Sequence, residues 1–315
     1  FNHDYTDRGI EIPDCQITQR DNRDTKEIVI ISGKGGTGKT SLTASFCAIE
    51  KELFIADCDV DAADLHLITN PGIMETGKFS GGSAARIDKE LCDNCGKCEP
   101  VCRFDAVFER EGKRGIDELS CEGCGACRLV CPQHAISMHP VLNGDWYVSK
   151  TRFGLMSHAK LLPGSENSGK LVALVRDKKK SFQHNAAISI IDGSPGTGCP
   201  VISSITGTDY VVVVTEPTVS GVHDFKRILD LIHFFHLKSG VIVNKADINP
   251  EKKQEIQQWA EKTGCDFLGA IQYDTGFTLA QKKGLTFIEY KSNETSGQIR
   301  DIWAKIKDVV NYSAE

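Results

Sequence analysis

Short apolar runs recur along the chain, and each predicts a buried strand. Glu27 to Ser32 carries Ile28, Val29, Ile30 and Ile31 in succession, a β-branched run suited to a strand covered on both faces. Leu53 to Ala56, Ala187 to Ile191, Tyr210 to Thr215, Gly240 to Val243 and Phe267 to Ile271 predict further strands. Helices are expected over Ser41 to Ala48 and Ser220 to about Phe235, with a shorter stretch at Thr278 to Lys283. A last helix over about Ser296 to Val310 places Ile299, Trp303, Ile306 and Val310 on one face, which predicts packing on the sheet. Another helix is expected to start with Asn167 or Ser168 as its cap, and Lys170 behind it is either an interface residue or a helix-face charge. His233 and His236 are expected to share a helix face as packing residues. Residues 1–24 are polar with little periodicity and predict a loose extension. Residues 70–85, rich in Gly and Ser, predict a linker.

The first strand runs into Gly33-Lys34-Gly35-Gly36-Thr37-Gly38-Lys39-Thr40, and a helix follows from Ser41. Strand, glycine-rich turn, Lys-Thr and helix are the parts of a P-loop, G-x-x-x-x-G-K-T. Gly33, Gly35, Gly36 and Gly38 let the backbone curl so that successive N–H groups, including those of Thr37 and Ser41, face phosphate oxygens. The helix adds its positive N-terminal end. Lys39 is expected on the β- and γ-phosphates, and the Thr40 hydroxyl on Mg²⁺. The strand at Leu53 ends in Asp57-Cys58-Asp59-Val60-Asp61, carboxylates at the end of a strand where open α/β sheets bind ligands. Asp61 and Asp64 are expected at the surface or at a helix start. The strand at Ala187 ends in Asp192 with Gly196 four residues later. Asp192 is expected to bind Mg²⁺ through water, and the Gly196 N–H to sense the γ-phosphate in a loop that moves on hydrolysis. Asn244-Lys245-Ala246-Asp247 has the shape of a base-recognition loop in which Asn244 reads the purine. ATP and GTP both remain open from these residues alone.

Composition changes between these motifs. Cys92-x-x-Cys95-x-x-Cys98-x-x-x-Cys102 is followed, 29 residues on, by Cys121-x-x-Cys124-x-x-Cys127-x-x-x-Cys131-Pro132. This is the spacing of two-cluster bacterial ferredoxins. Two-residue gaps let one tight loop present three thiolates to a cubane, and the fourth cysteine points to the other cluster. One [4Fe–4S] cluster is therefore expected on Cys92, Cys95, Cys98 and Cys131, and the other on Cys121, Cys124, Cys127 and Cys102. Arg103 stands where Pro often follows the fourth cysteine. Four-cysteine zinc sites usually have a longer gap between pairs. The 13 cysteines leave five scattered ones, Cys15, Cys47, Cys58, Cys199 and Cys265, which argues for metal binding in a reducing cytoplasm and against a disulfide framework.

The chain of 315 residues has room for one large α/β domain and a small one. Its net charge of −6 does not suggest a nucleic-acid or anionic-membrane surface. No apolar run approaches the roughly 18 residues that span a bilayer, and no secretory signal is visible. The expected location is the cytoplasm. The end of the chain mixes Lys305 and Lys307 with Asp301, Asp308 and Glu315, so no membrane anchor is expected there.

With Lys34 as a second lysine in its loop, the P-loop resembles that of the MinD, ParA and Mrp ATPases and the nitrogenase iron protein. The resemblance covers nearly all of residues 25–290, with a two-cluster ferredoxin inserted. It implies a doubly wound, mostly parallel α/β sheet, divided into residues 25–84 and 141–315 with a ferredoxin domain over 85–140. It also implies that Lys34 reaches a partner subunit's nucleotide, so that hydrolysis depends on dimerisation, with itself or with a related ATPase. Asp59 would orient the attacking water, and Asp57 would sit in the outer shell of Mg²⁺. Cys199 follows the Asp192 switch where the nitrogenase iron protein has a cysteine that ligates a bridging cluster. The function so implied is an ATPase that couples nucleotide-dependent dimerisation to electron transfer from two [4Fe–4S] clusters to a partner protein. Assembly or insertion of an iron–sulfur or metal cofactor into a client, as in Mrp, is the alternative, although the C-terminal C-x-x-C of Mrp-like carriers is absent. Spatial positioning is a weaker one.

Overall fold

Strand β1 (Lys26–Ser32) is buried along almost its whole length, and everything else is arranged around it. The structure is a computed structural model that describes residues 25–50, 52–165, 168–181 and 186–311. The N-terminal extension and Asn167 lie outside the described residues.

In chain order β1 is followed by α1 (Lys39–Ile49), β2 (Leu53–Asp57), α2 (Leu65–Thr69), β3 (Gly72–Phe79), β4 (Gly82–Ile87), β5 (Val107–Arg110), β6 (Lys113–Ile116), α3 (Ala126–Leu129), β7 (Ile136–Val141), β8 (Gly144–Thr151) and β9 (Gly154–Leu161). Then come α4 (Ser168–Ser181), β10 (Ile188–Pro195), α5 (Cys199–Ile205), β11 (Tyr210–Thr215), α6 (Val219–Phe234), β12 (Ser239–Asn244), α7 (Pro250–Thr263), β13 (Asp266–Ile271), α8 (Gly276–Lys282), α9 (Phe287–Tyr290) and α10 (Glu294–Asn311).

Among the described residues the central sheet has the order β13-β12-β11-β1-β10-β2-β9-β8-β3. Every pairing from β13 to β9 is parallel. The pairings of β9 with β8 and of β8 with β3 are antiparallel. Successive side chains of β1 leave on opposite faces. Val29 and Ile31 pack with Leu171, Val175, Phe225 and Ile228 from α4 and α6. Ile28 and Ile30 pack with Leu42 and Phe46 from α1 and with Ile299 and Trp303 from α10. Helices thus cover both faces, as the β-branched runs require. The expected face of α10 is the buried one: Ile299, Trp303, Ile306 and Val310 are all at most 3% exposed. The Trp303 indole stacks on Phe46 at 5.1 Å and donates through Nε1 to Glu50 Oε2 at 3.0 Å.

Two expectations are corrected. Residues 70–85 are not a linker: they hold β3 and the start of β4. β3 is the exposed edge of the sheet, so it carries no apolar pattern. Its Gly77 lies under the Trp146 ring of β8, where a Cβ would come within 2.5 Å of the indole. His233 and His236 are not packing residues: both are exposed, and α6 ends between them.

The segment from β4 to β7 carries two small antiparallel pairs, β4 with β7 and β5 with β6. Their 29-residue repeat is visible in the backbone. Asp88 N donates to Ala135 O at 2.7 Å, and Asp117 N donates to Ala106 O at 2.8 Å. Left-handed positions repeat at Gly96 and Gly125, and at Asp105 and His134.

Candidate functional site

The loop after β1 closes around an electrostatic knot. Lys39 opens α1 with its side chain 5% exposed, and its Nζ donates to Asp192 Oδ1 at 2.9 Å and lies 3.4 Å from Asp59 Oδ2. Thr40 Oγ1 donates to Asp192 Oδ2 at 2.8 Å. Thr43 Oγ1, one helical turn beyond Lys39, donates to Asp192 Oδ1 at 2.9 Å. Asp57 on β2 is the register partner of Asp192 on β10, and both are fully buried.

Three carboxylates therefore face one ammonium. Burial disfavours the charged Lys39, but Asp192, Asp59 and Asp57 outweigh it and hold the amine above its ordinary range. Burial, reinforced by Asp192 and opposed by Lys39, raises the Asp57 carboxyl well above the usual carboxylate range. Burial also raises Asp59, again against Lys39. Asp57 Oδ1 accepts the Asp59 N–H at 3.3 Å, while Asp57 Oδ2 is buried without a hydrogen-bond partner among the described residues. A buried, unsatisfied carboxylate oxygen beside Thr40 and Asp192 is what the surroundings of a hydrated divalent cation require. Thr40, Asp57 and Asp192 thus fit Mg²⁺.

The loop itself is held by residues from two later strands. Asn244, at the end of β12, donates through Nδ2 to Thr37 O at 2.7 Å, and its Oδ1 accepts the Lys245 N–H. Both ends of the Asn244 amide are bonded within the protein. Gly38 has φ of +89°, and a Cβ there would meet Asn244 Nδ2 at 2.4 Å, so only glycine fits. A Cβ on Gly33 would meet Asp224 Cβ at 2.3 Å. Gly35 and Gly36 lie at the exposed tip, and Ser41 is half-buried in the first turn of α1. The Gly196 N–H donates to Ser32 O at 2.8 Å, which ties the loop after β10 to the end of β1.

Lys34 does not extend freely from the loop. Its Nζ donates to Ser220 Oγ at 3.2 Å and lies 3.3 Å from Glu216 Oε2. Lys245 Nζ pairs with the other oxygen of Glu216 and donates to Gly36 O at 3.2 Å. Sequence reasoning assigned no role to Glu216, Lys245 or Thr43. The i, i+4 spacing of Thr43 from Lys39 was a usable signal, but nothing local marks Glu216. Lys170 is an intrachain tie, with Nζ donating to Gly81 O at 2.8 Å. Cys199 is exposed at the start of α5. Asp61 is exposed, and Asp64 is the residue before α2.

The eight clustered cysteines separate into two sets of four. Cys92, Cys95, Cys98 and Cys131 line one cavity. Cys102, Cys121, Cys124 and Cys127 line another. The fourth member of each set comes from the other repeat. Ala85, Ile87, Val107 and Ile136 form an apolar core between them. Among the described residues no group of three or more His, Cys, Asp or Glu is placed to hold a metal ion. Each cavity instead spreads four sulfurs around a space, and this donor set fits an iron–sulfur cubane.

The model of the CobQ/CobB/MinD/ParA nucleotide binding domain matches residues 28–287. The chain belongs to this family. An uncharacterized protein of Methanocaldococcus jannaschii is 34% identical over 227 residues, covering 71% of this chain and 79% of its own. Among solved structures, the septum site-determining protein MinD of Pyrococcus horikoshii, complexed with Mg-ADP, matches with a TM-score of 0.55 at 16% identity, covering 90% of this chain and 97% of its own. A ferredoxin of Rhodobacter capsulatus is 52% identical over 29 residues, 9% of this chain and 45% of its own. The MinD-like, mostly parallel α/β fold matches expectation. Among the described residues no helix is long and apolar enough to cross a membrane.

Proposed function

We propose that this chain is a Mg²⁺-dependent ATPase that carries two [4Fe–4S] clusters and couples nucleotide state and dimerisation to electron transfer toward a partner protein. The observation that carries the reading is the sorting of eight cysteines into two crossed sets of four, in a chain whose P-loop, Asp57, Asp59 and Asp192 converge on one site. Bound clusters would supply one-electron redox chemistry.

The rest falls to the chain's own residues. The curled backbone from Gly33 to Thr40 presents N–H groups to the phosphates. Lys39 exchanges part of its pairing with Asp192 and Asp59 for the β- and γ-phosphates. Thr40 and Asp192, which share a hydrogen bond, would hold Mg²⁺ with Asp57 beside them, and the ion would neutralise charge on the phosphates. Asp59, released from Lys39, orients the attacking water. Asn244 keeps the loop in register from Thr37 and would read the base from beside Gly38. Release of the Gly196 N–H from Ser32 would let the loop after β10 follow the γ-phosphate. Lys34 would leave Glu216 to reach the nucleotide of a second subunit.

Iron and acid-labile sulfide analysis after anaerobic preparation tests the reading. About eight irons per chain are expected from two cubanes. Stoichiometric zinc in place of iron would overturn it.

Spatial positioning is a second reading, favoured by the fold likeness to a septum site-determining protein. It gives no role to the eight cysteines, and it predicts nucleotide-dependent recruitment to a surface that survives loss of the clusters. Cofactor assembly, the third, predicts iron transfer to an apo-client, and the first reading predicts electron transfer with iron retained.

A further inference from the structure

The two cysteine cavities are related by the 29-residue repeat, yet their walls differ in charge. The first is lined by Asp93, Lys97 and Arg114 besides its cysteines. In the second, Glu122 is the one charged residue among the described lining. The repeat places Ala85 at the position equivalent to Arg114. The strands agree: Arg114 is on β6 and Ala85 on β4, and Ala85 N donates to Cys121 Sγ of the second set at 3.4 Å.

Arg114 is not an ordinary surface cation. Its side chain is 12% exposed. One end of the guanidinium is anchored outward, on Glu99 through Nη1 and on Glu109 through Nη2 at 2.8 Å. Nε is buried and has no hydrogen-bond partner among the described residues. The guanidinium lies over the loop that carries Cys95 and Cys98: a Cβ on Gly96 would meet Nη2 at 2.9 Å and Nε at 3.5 Å. At Gly125, the equivalent glycine of the second loop, a Cβ would meet nothing within 4 Å. A buried N–H without an acceptor among the described residues, in the wall of a cavity ringed by four cysteines, points to a sulfur acceptor.

We infer that Arg114 makes the two clusters inequivalent, holding the cluster on Cys92, Cys95, Cys98 and Cys131 at a higher reduction potential than the one on Cys102, Cys121, Cys124 and Cys127. This rests on the iron–sulfur reading above. A buried N–H donor and a cation beside a cluster favour its reduced, more negative state. Glu99 and Glu109 are about half exposed, so water screens them more than it screens the guanidinium. An electron supplied by an external low-potential one-electron donor would then rest on the first cluster. Transfer within the protein oxidises the second cluster and reduces the first, one electron each, with no bond made or broken. Arg114 acts through hydrogen bonding and charge and is a positioning residue.

The test is an EPR-monitored redox titration of the anaerobically prepared full chain, with iron content measured on each sample. The wild type is compared with Arg114→Met and Arg114→Lys. The expected result is eight irons in each, two resolved potentials in the wild type, and a fall in the higher one alone in Arg114→Met. The fall should reach at least about tenfold in electron partition, which is 59 mV for one electron. Arg114→Lys, which keeps the charge but not the fixed donor fork, should fall in between. Should Arg114→Met lose its clusters, Glu99→Gln on the exposed partner serves instead, and it should raise the same potential. Eight irons with potentials that none of these changes moves, or that move together, would overturn the inference and leave the cluster reading intact. A wild-type chain without iron would overturn both.

Discussion

Lys34 Nζ and Glu216 Oε2 stand 3.3 Å apart within one chain, although the motif around Lys34 implies a residue that works across a subunit boundary. Lys245 shares the same carboxylate, so Glu216 gathers the cations at the rim of the P-loop. Lys34 must leave this pair before it can serve a second subunit. The pair is partly exposed, and such a contact is worth roughly 1 kcal/mol or less. Glu216→Gln is expected to tighten nucleotide-dependent dimerisation by up to about fivefold, measured by sedimentation with a non-hydrolysable ATP analogue. Weaker association would show that Glu216 supports the dimer instead.

Lys34→Ala should leave nucleotide affinity within a few-fold of wild type and lower hydrolysis by about a hundredfold or more, the scale of a charge supplied in trans. Calorimetric binding and steady-state turnover separate the two effects. Unchanged turnover would remove Lys34 from the mechanism.

Lys39 is the sole cation paired with Asp192 and Asp59 among the described residues. Lys39→Ala should weaken ATP binding by about tenfold to a hundredfold, the loss of one or two charge-assisted hydrogen bonds. Affinity equal to wild type would contradict the P-loop geometry described here.

His158 on β9 titrates inside the fold. It stacks on Tyr147 at 5.0 Å and on His66 at 6.3 Å, contacts Ser149 Oγ at 3.0 Å, and is the register partner of Asp57. Burial, helped by His66, pulls it down to about 4. The unfolded chain takes up this proton near the ordinary histidine value of about 6.5. Between those values the unfolded state binds more proton, so its contribution to stability is full above about pH 6.5 and falls as pH drops toward 4, by at most about 3 kcal/mol. In His158→Phe, urea unfolding should lose less stability than wild type between pH 7 and pH 4.5. Parallel losses in the two proteins would refute the assignment.

Trp303→Ala should cost about 3–5 kcal/mol, because the ring is buried, stacked on Phe46 and hydrogen-bonded to Glu50. Urea unfolding with an unchanged slope measures it. A cost under about 1 kcal/mol would mean that α10 is peripheral to the fold.

The central strands were legible because burial on both faces leaves no polar alternation, as in Ile28 to Ile31. The face of α10 was legible from Ile299, Trp303, Ile306 and Val310. The hairpin of β8 and β9 and the edge strand β3 were not: their outer positions are polar, and glycines such as Gly77 serve packing there. At the candidate site, the motifs named Lys39, Thr40, Asp57, Asp59 and Asp192, which the fold brings together. Glu216 and Arg114 escaped notice because no motif marks them. Glu216 meets Lys34 across 182 residues, and Arg114 is marked by an Nε that has no partner among the described residues.

The most direct test of the whole account is the reduction potential of the clusters with and without MgATP or its non-hydrolysable analogue. If nucleotide state and clusters are coupled, at least one potential should shift by about 59 mV or more, a tenfold change for one electron. Potentials that are identical in the two nucleotide states would contradict the coupling and leave an ATPase and a ferredoxin that share a chain without sharing energy.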